Sequence, residues 1–388
     1  MKDSLQKKVA ARLDSYADVL VKFADAWTNP ARETLRWDTY RRVLATPQAR
    51  NTYRDLYGIR PVQWMRDAKR LAHKVKSREG LSRYSSPISA DHVPLPGDAI
   101  VWPLWYQDGL VVASSASQRV LKVVSDKREE VDNEVAALRT AHRAGIGNHV
   151  PDIIRRETLE SWDGFMMELA PDWYPMSVTM RLRGKSKWCS WLREAGLPVL
   201  QSFYEEAGVQ VIDGDKWLQS VQDRCTRAQR ASVKKMFDQA VEYSVAKGAK
   251  IVEVKIHGDV MPRHLHRTRT GWTLIDWGRS SRSHCIKELF PVASSDRLPL
   301  FRHGRRHARL LWLWLGGNGS SDTLPHHVEE LLSIHANFQR DWLGLSCTKK
   351  SLRFQLWALL LERALERYER GKEPIEPEVV QALGLNSS

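Results

Sequence analysis

Two aspartates in one short segment have the residue type and the setting for chemistry on a phosphate. Asp259 ends the tripeptide His-Gly-Asp, and Asp276 follows it by 17 residues in Leu-Ile-Asp-Trp. Each comes directly after a β-type apolar run, and a carboxylate at the end of a short strand is rigidly mounted. Phosphoryl transfer needs one carboxylate near the proton of the acceptor hydroxyl and hard oxygen ligands for Mg²⁺. Either aspartate alone would be typical of a loop-capping turn, so the assignment depends on the two together.

The elements that must position these aspartates change in character along the chain. Residues 1–76 follow helical spacing and predict a helical N-terminal extension, and the Ser-, Pro- and Gly-rich residues 77–98 predict an exposed linker. Residues 99–171 contain three strand-like runs, a helix pattern in KREEVDNEVAALRTAHRAGI and a further strand pair that ends at Pro171. Residues 172–388 are mostly helical in pattern, apart from the segment with the two aspartates.

This order of elements, with His-Gly-Asp and Leu-Ile-Asp-Trp at that spacing, resembles the aminoglycoside phosphotransferase and choline-kinase-like branch of the protein-kinase-like superfamily. The resemblance covers roughly residues 96–370. It implies an α+β, protein-kinase-like two-lobe fold, with a small antiparallel-sheet N-lobe, a mostly helical C-lobe and the helical N-terminal extension. It also implies ATP and Mg²⁺ as cofactors, Asp259 as the catalytic base and Asp276 as the main magnesium ligand.

A lysine lies in the middle of the apolar run RVLKVV, where a charge requires a reason. In kinases a strand lysine holds the α- and β-phosphates and is paired with a glutamate of the following helix. Lys122 matches that lysine. Glu134 is the best partner, because Glu134 and Leu138 resemble the Glu-x-x-x-Leu helix of the family, but Glu129 and Glu130 are nearer along the chain. The alternative is an edge-strand lysine that points to water.

The segment FMMELAP resembles the hinge of the family, whose backbone groups bind the edge of adenine. The resemblance therefore implies that Glu168 and Ala170 bind the nucleotide. Backbone recognition leaves little side-chain signature, and a strand that exits at a proline would have the same appearance.

Two positions depart from the family pattern. His264 occupies the place of an asparagine that serves as the second metal ligand, and Mg²⁺ prefers oxygen donors to imidazole. His264 could act through a water, Asp276 could be the residue that mainly holds the metal, or the site could be impaired. The second departure is in residues 113–118, the expected phosphate-covering loop, which contain no glycine. Both departures favour an alternative, a pseudokinase-type protein that binds a nucleotide or a macromolecule with impaired catalysis.

Composition indicates a globular protein and sets the expected compartment. The chain has 388 residues, 42% of them hydrophobic, and four cysteines too scattered for a metal knuckle or a disulfide scaffold. The longest apolar run is far shorter than a bilayer span, and the N-terminus has no apolar signal region. We therefore expect a cytoplasmic protein with reduced thiols.

A net charge of +14 favours anionic partners. True aminoglycosides are polycations that need an acidic cleft, so the charge argues against them and for an anionic small-molecule or glycan-like acceptor. The aspartate spacing is also similar to that of bacterial lipopolysaccharide-sugar kinases, which implies peripheral contact with an anionic membrane surface. A solvated basic face is the alternative, and nucleic-acid binding lacks a motif. Basic residues cluster at Arg181, Arg183, Lys185 and Lys187, at 302–309, and at Lys349, Lys350 and Arg353.

Overall fold

The structure is a computed structural model, and the chain divides into two compact units. The first unit is Met1–Thr179 with Arg263–Arg279, and the second is Met180–Pro262 with Ser280–Ser388. The residues that the structure describes are 11–27, 30–31, 34–38, 43–58, 84–89, 93–104, 108–125, 128–158, 162–172, 186–244, 249–262, 264–268, 271–289, 311, 313–315, 324, 326–374 and 383.

The described strands are numbered in chain order. They are β1 (Pro30–Ala31), β2 (Thr34–Asp38), β3 (Val43–Ala45), β4 (Tyr84–Ser89), β5 (Leu95–Pro96), β6 (Ile100–Pro103), β7 (Gly109–Ser114), β8 (Arg119–Val124), β9 (Ile153–Thr158), β10 (Asp163–Glu168), β11 (Gln210–Asp213), β12 (Lys250–Ile256), β13 (Leu265–Arg267), β14 (Trp272–Leu274) and β15 (Ser281–His284).

The described helices are named by their bounds. In the first unit they are Ala17–Lys22, Arg50–Tyr57 and Arg128–Arg143; in the second they are Ser186–Trp191, Leu197–Ala207, Gly214–Ala228, Ala231–Ser244, His326–Leu343 and Lys349–Glu369.

The first unit is built on an antiparallel sheet of eight strands in the order β4-β2-β3-β6-β7-β8-β10-β9. Side chains alternate across each strand. On one face, Leu110 and Val112 of β7 join Leu121 and Val123 of β8 in a core with the N-terminal helical residues 13–23. The opposite face carries Val111, Val120 and Lys122, so the strand period itself separates Lys122 from the main core.

The N-terminal part of the chain differs from the expected helical extension. Strands β2 and β3 lie within residues 1–76, and β3 pairs with β6 through Leu44 opposite Val101. The expected linker 77–98 contains β4, which pairs with β2, and the buried residues Val93 and Leu95. The predicted exposed linker at residues 77–98 is therefore wrong where the structure describes it. These short runs become strands only through pairing with distant segments, which local spacing does not reveal.

The strands and helix expected for residues 99–171 are present. Strands β6, β7 and β8 form the predicted meander, the helix Arg128–Arg143 follows, and β9 and β10 form the predicted strand pair. Gly145 ends the helix region with a φ of 76°, a left-handed conformation that suits glycine. The antiparallel sheet of the predicted α+β fold is confirmed.

The second unit is mostly helical, as predicted. The helix Lys349–Glu369 is buried along most of its length and forms the centre of the unit, beside a small sheet of β11, β12 and β15. Strand β12 ends at Ile256, directly before the loop that carries Asp259. No helix in the described part of the chain is both long and apolar enough to cross a membrane.

Candidate active site

Lys122 and Glu134 form a buried ion pair in the first unit. The Nζ atom of Lys122 lies 2.6 Å from Oε2 of Glu134, and the two residues are 7% and 1% exposed. Lys122 projects from the face of β8 opposite the main core, and Glu134 projects from the helix Arg128–Arg143, whose buried Val131, Val135 and Leu138 pack that helix in place. Sheet and helix therefore hold the two charges in one geometry.

The charges around Lys122 keep it protonated. Burial alone would lower the pKa of Lys122, but the negative charges of Glu134 and Asp276 and the hydrogen bond to Glu134 outweigh that effect and raise the pKa. The ammonium group is thus a permanent cation at neutral pH. A buried cation of this kind is suited to bind an anion that enters beside it.

Asp276 lies after β14 in an uncommon backbone conformation. Its φ of 66° is in the left-handed region, which costs roughly 1–2 kcal/mol for an L-residue and which aspartate tolerates better than most. The amide of the preceding residue, Ile275, donates to the carbonyl O of His264 at 2.9 Å. The side chain of Asp276 is 48% exposed, and its Oδ2 lies 3.3 Å from Nε2 of His264. The carboxylate is therefore accessible on one side and held by His264 on the other.

Gly278 brings the chain against the ion pair. A Cβ atom at this position would lie 3.3 Å from Oε2 of Glu134 and 3.4 Å from Nζ of Lys122. Those distances are tight, so any larger residue would press on the pair. The absence of a side chain lets the segment after Asp276 pass close to Lys122 and Glu134.

Lys122, Glu134, His264 and Asp276 line one cavity of about 210 Å³. These four residues form its polar end, and its remaining wall is mainly apolar. The volume is below the roughly 300–1,000 Å³ of pockets that enclose a drug-sized ligand, so it suits one planar ring system more than a whole nucleotide. The other lining residues are Leu56, Trp102, Leu104, Val111, Val120, Pro151, Met167, Glu168, Leu169, Ala170, His266 and Ile275.

The predicted hinge residues Glu168 and Ala170 line this cavity. The amide of Leu169 between them donates to the carbonyl O of Gln118 at 3.0 Å, which fixes the exit from β10. Nδ1 of His266 donates to the carbonyl O of Ala170 at 2.6 Å. His266 also lines the cavity. The sequence does not mark it, because there it is one more histidine in a basic stretch. Only its pairing position on β13 brings it to the hinge.

The turn expected to cover phosphates lies at the hinge end of its strands. Strands β7 and β8 are paired so that Ser114 lies opposite Arg119, and Arg119 in turn lies opposite Glu168 of the hinge. The turn 115–118 is thus next to the hinge. The connection 104–108, between β6 and β7, is at the opposite end of the strands. Residues 105–107 of that connection lie outside the described part of the chain.

Asp259 belongs to the second unit, in the loop after β12. It is 2% exposed, and its amide donates to Nδ1 of His257 at 3.2 Å. Gly258 has a φ of 85°, which explains the glycine of the tripeptide. The amides of His257 and Gly258 both donate to Oε1 of Glu288, the latter at 3.4 Å. Burial raises the pKa of Glu288 to about 7. No local pattern in the sequence marks Glu288, because its contacts with this loop come from long-range packing.

The seven predicted site residues therefore divide between the units. Six line or adjoin one cavity of the first unit, and Asp259 lies in the second. The six are Lys122, Glu134, Glu168, Ala170, His264 and Asp276. Among the basic residues singled out in the sequence, Lys187, Lys349 and Lys350 are exposed, whereas Arg181, Arg183, Lys185 and residues 302–309 lie outside the described part of the chain.

Comparison with solved structures finds kinases and phosphotransferases. A glucosamine kinase in complex with glucosamine, ADP and inorganic phosphate matches with 11% identity and a TM-score of 0.39, over 74% of this chain and 79% of its own. An aminoglycoside-3'-phosphotransferase of type VIII matches with 16% identity and a TM-score of 0.35, over 64% and 87%. An ethanolamine kinase from Plasmodium vivax matches with 12% identity and a TM-score of 0.33, over 74% and 78%.

These matches agree in kind with the resemblance found in the sequence. No family model and no curated protein matches this chain. At such low identities and TM-scores the likeness carries no argument about substrate or residue roles.

Proposed function

We propose that this protein is an ATP- and Mg²⁺-dependent phosphotransferase that acts on a hydroxyl of a small-molecule or glycan-like, anionic acceptor. The observation that carries the proposal is the buried Lys122–Glu134 pair beside Asp276 in a cavity with an otherwise mainly apolar wall. A nucleotide has the same division, with a flat base at one end and a polyanion at the other.

The cavity residues have separate roles in this proposal. Lys122 binds the α- and β-phosphates, and Glu134 holds the lysine in position. Backbone groups of Glu168 and Ala170 bind the edge of adenine, as the hinge resemblance implies. Since the base fills the apolar end, the phosphates extend towards Lys122 and beyond the cavity, which is too small for the entire nucleotide.

Asp276 fits the requirements of a magnesium ligand. Mg²⁺ keeps several waters and is bound through one or two carboxylates together with substrate phosphates, so a half-exposed carboxylate next to the phosphate-binding lysine suits it. The imidazole of His264 is a poor magnesium ligand, and its contact with Asp276 supports a role in orienting that carboxylate. Bound magnesium would neutralise charge on the phosphates.

Asp259 is the proposed catalytic base. Its carboxylate accepts the proton of the acceptor hydroxyl as the oxygen attacks the γ-phosphorus, and the bond from phosphorus to the leaving ADP oxygen breaks. Glu288 supports this loop by accepting hydrogen bonds from the amides of His257 and Gly258. The loop that carries Asp259 is thereby held from its backbone.

The acceptor class is proposed from charge. A net charge of +14 attracts anions and repels polycations, which supports an anionic acceptor, including one presented at an anionic membrane surface. The same field would lower the encounter rate of a polycationic aminoglycoside.

The proposal is tested by phosphorus NMR of the wild-type protein with ATP, Mg²⁺ and a panel of anionic, neutral and cationic sugars and amino alcohols. We expect Mg²⁺-dependent formation of ADP and a phosphate monoester, fastest with an anionic acceptor. Tight ATP binding without any transfer or hydrolysis would favour the pseudokinase alternative. Failure to bind ATP or ADP with or without Mg²⁺ would overturn the nucleotide site.

A further inference from the structure

The helix Arg50–Tyr57 lies at the hinge end of the candidate nucleotide cavity. Leu56 of this helix lines the cavity and packs against the buried cluster of Val111, Ala113, Val120 and Leu169. Because Leu169 belongs to the hinge segment, Leu56 packs at the hinge side of the cavity. This helix comes from the N-terminal 76 residues, which lie outside the kinase-like pattern of the sequence.

A buried polar network attaches the helix to the turn after β7. The hydroxyl of Thr52 donates to Oδ2 of Asp98 at 2.7 Å and accepts from the amide of Ser115 at 3.0 Å. The same carboxylate accepts from the amide of Ala116 at 2.8 Å and from the hydroxyl of Ser114 at 2.5 Å. Asp98 therefore joins the helix, through Thr52, to the turn, through Ser114 and Ala116.

Asp55 adds two further attachments on the same helix. Its carboxylate accepts a hydrogen bond from the hydroxyl of Ser115, and its backbone carbonyl accepts from the amide of Asp172, beyond the hinge, at 2.5 Å. Thr52, Asp55 and Leu56 are at positions i, i+3 and i+4, so they share one face of the helix. That face is attached to the turn after β7 and to the chain just beyond the hinge, and it carries Leu56.

We propose that the helix Arg50–Tyr57 is a fixed cap on the base-binding end of the cavity, and that Leu56 limits the size of the base that enters. The cap makes Leu56 a specificity-determining residue for the nucleotide. The inference rests on the proposed function, since it takes the occupant of the cavity to be a purine nucleotide. The buried hydrogen bonds of Thr52, Asp55 and Asp98 keep the cap from yielding to a larger ligand.

The test measures dissociation constants by calorimetry for ATP and for ATP analogues that carry a benzyl group on the base, at N6 or at C2. We expect the wild type to bind ATP and to reject both enlarged analogues. Leu56→Ala should weaken ATP binding by about tenfold or less, the scale of one lost apolar contact. It should also bring at least one enlarged analogue to within about threefold of ATP, since the removed side chain provides the space.

A second substitution tests the same cap in the opposite direction. Leu56→Phe should reduce ATP affinity by more than about tenfold, because overpacking a small cavity excludes its ligand. Asn51→Ala, at an exposed position of the same helix, is the matched control and should leave every affinity unchanged. Unfolding midpoints of all variants show whether the fold is retained.

Thr52→Val removes the hydroxyl that joins the cap to Asp98 while it keeps the side-chain shape. We expect it to relax discrimination against the enlarged analogues in the same direction as Leu56→Ala, with Leu56 still present. If the wild type binds ATP but both Leu56 variants match it for all three ligands, the cap inference is overturned and the proposed function stands. A wild type that binds no nucleotide overturns the proposed function, and the cap with it.

Discussion

Lys122 and Glu134 are 12 residues apart in sequence, and their side chains meet at 2.6 Å in the buried interior of the first unit. Removing one partner of such a pair leaves an uncompensated charge, at a cost of roughly 3–5 kcal/mol. The pair is therefore costly to disrupt one partner at a time, and its position at the polar end of the cavity makes the ammonium available to an anionic ligand.

The ion pair predicts a loss of transfer when the lysine is removed. Lys122→Ala should lower kcat/KM by about 10²–10³-fold, the usual effect of losing one positioned electrostatic group. Glu134→Gln should give part of that loss, because the lysine keeps its charge but loses its partner. Steady-state kinetics checks both, with circular dichroism to confirm folding. Glu129→Gln, at an exposed position of the same helix, is the control; an equal loss in that variant would contradict the pairing.

The two aspartates should separate binding from turnover. Asp276→Asn is expected to abolish the Mg²⁺-dependent part of ATP affinity, since an amide is a weaker magnesium ligand than a carboxylate. Asp259→Asn should leave ATP affinity nearly unchanged and remove transfer, because the base is lost. Calorimetry with and without Mg²⁺ measures the first effect and single-turnover kinetics the second. Equal losses of ATP affinity in both variants would show that the roles are assigned wrongly.

Substitutions of His264, which contacts Asp276, should distinguish an active enzyme from a pseudokinase. His264→Asn supplies an amide oxygen in place of imidazole and should keep or raise Mg²⁺-dependent turnover. His264→Ala should lower turnover, because Asp276 loses the group that orients it. Absence of turnover in the wild type and in His264→Asn, together with retained ATP binding, would favour the pseudokinase.

Glu288 should act on turnover through the backbone of the His-Gly-Asp loop. Glu288→Ala removes the acceptor for the amides of His257 and Gly258, so kcat should fall while ATP affinity is retained. Glu288→Gln keeps an acceptor oxygen and should recover most of kcat. It should also remove the contribution that the Glu288 carboxyl, whose pKa burial raises to about 7, makes to the pH dependence of stability. A kcat that is the same in both variants would contradict a positioning role.

The buried His335 predicts a loss of stability in acid. Burial lowers the pKa of His335 to about 4 from 6.5, and its Nε2 donates to Oε1 of Gln355 at 2.8 Å. Below pH 6.5 the unfolded chain therefore binds a proton at this residue that the folded chain does not. The stability that His335 contributes is complete above pH 6.5 and falls by up to about 3 kcal/mol as the pH falls towards 4. His335→Gln should reduce that dependence in urea titrations between pH 7 and pH 4.5, whereas the exposed His326, replaced by Gln, should not.

The local features of this protein can be predicted from its sequence alone. The strand period predicted β6, β7 and β8 and the placement of Lys122 within an apolar strand, because alternation is a property of neighbouring residues. The helix after them and the helical second unit were likewise predicted from spacing. The settings of Asp259 and Asp276, each after a short strand, required only the order of residues along the chain.

Contacts between distant segments are visible only in the folded structure. The hydrogen bond from Lys122 to Glu134 depends on how one helix packs on the sheet, and nearby glutamates left that choice open. Strands β2 and β3 exist through pairing with β4 and β6, so local spacing predicts a helix where the sheet continues. Leu56 and His266 line the cavity of the first unit, and Glu288 contacts the His-Gly-Asp loop of the second, only because the chain returns to those places. No local spacing encodes a contact between segments that meet only after folding.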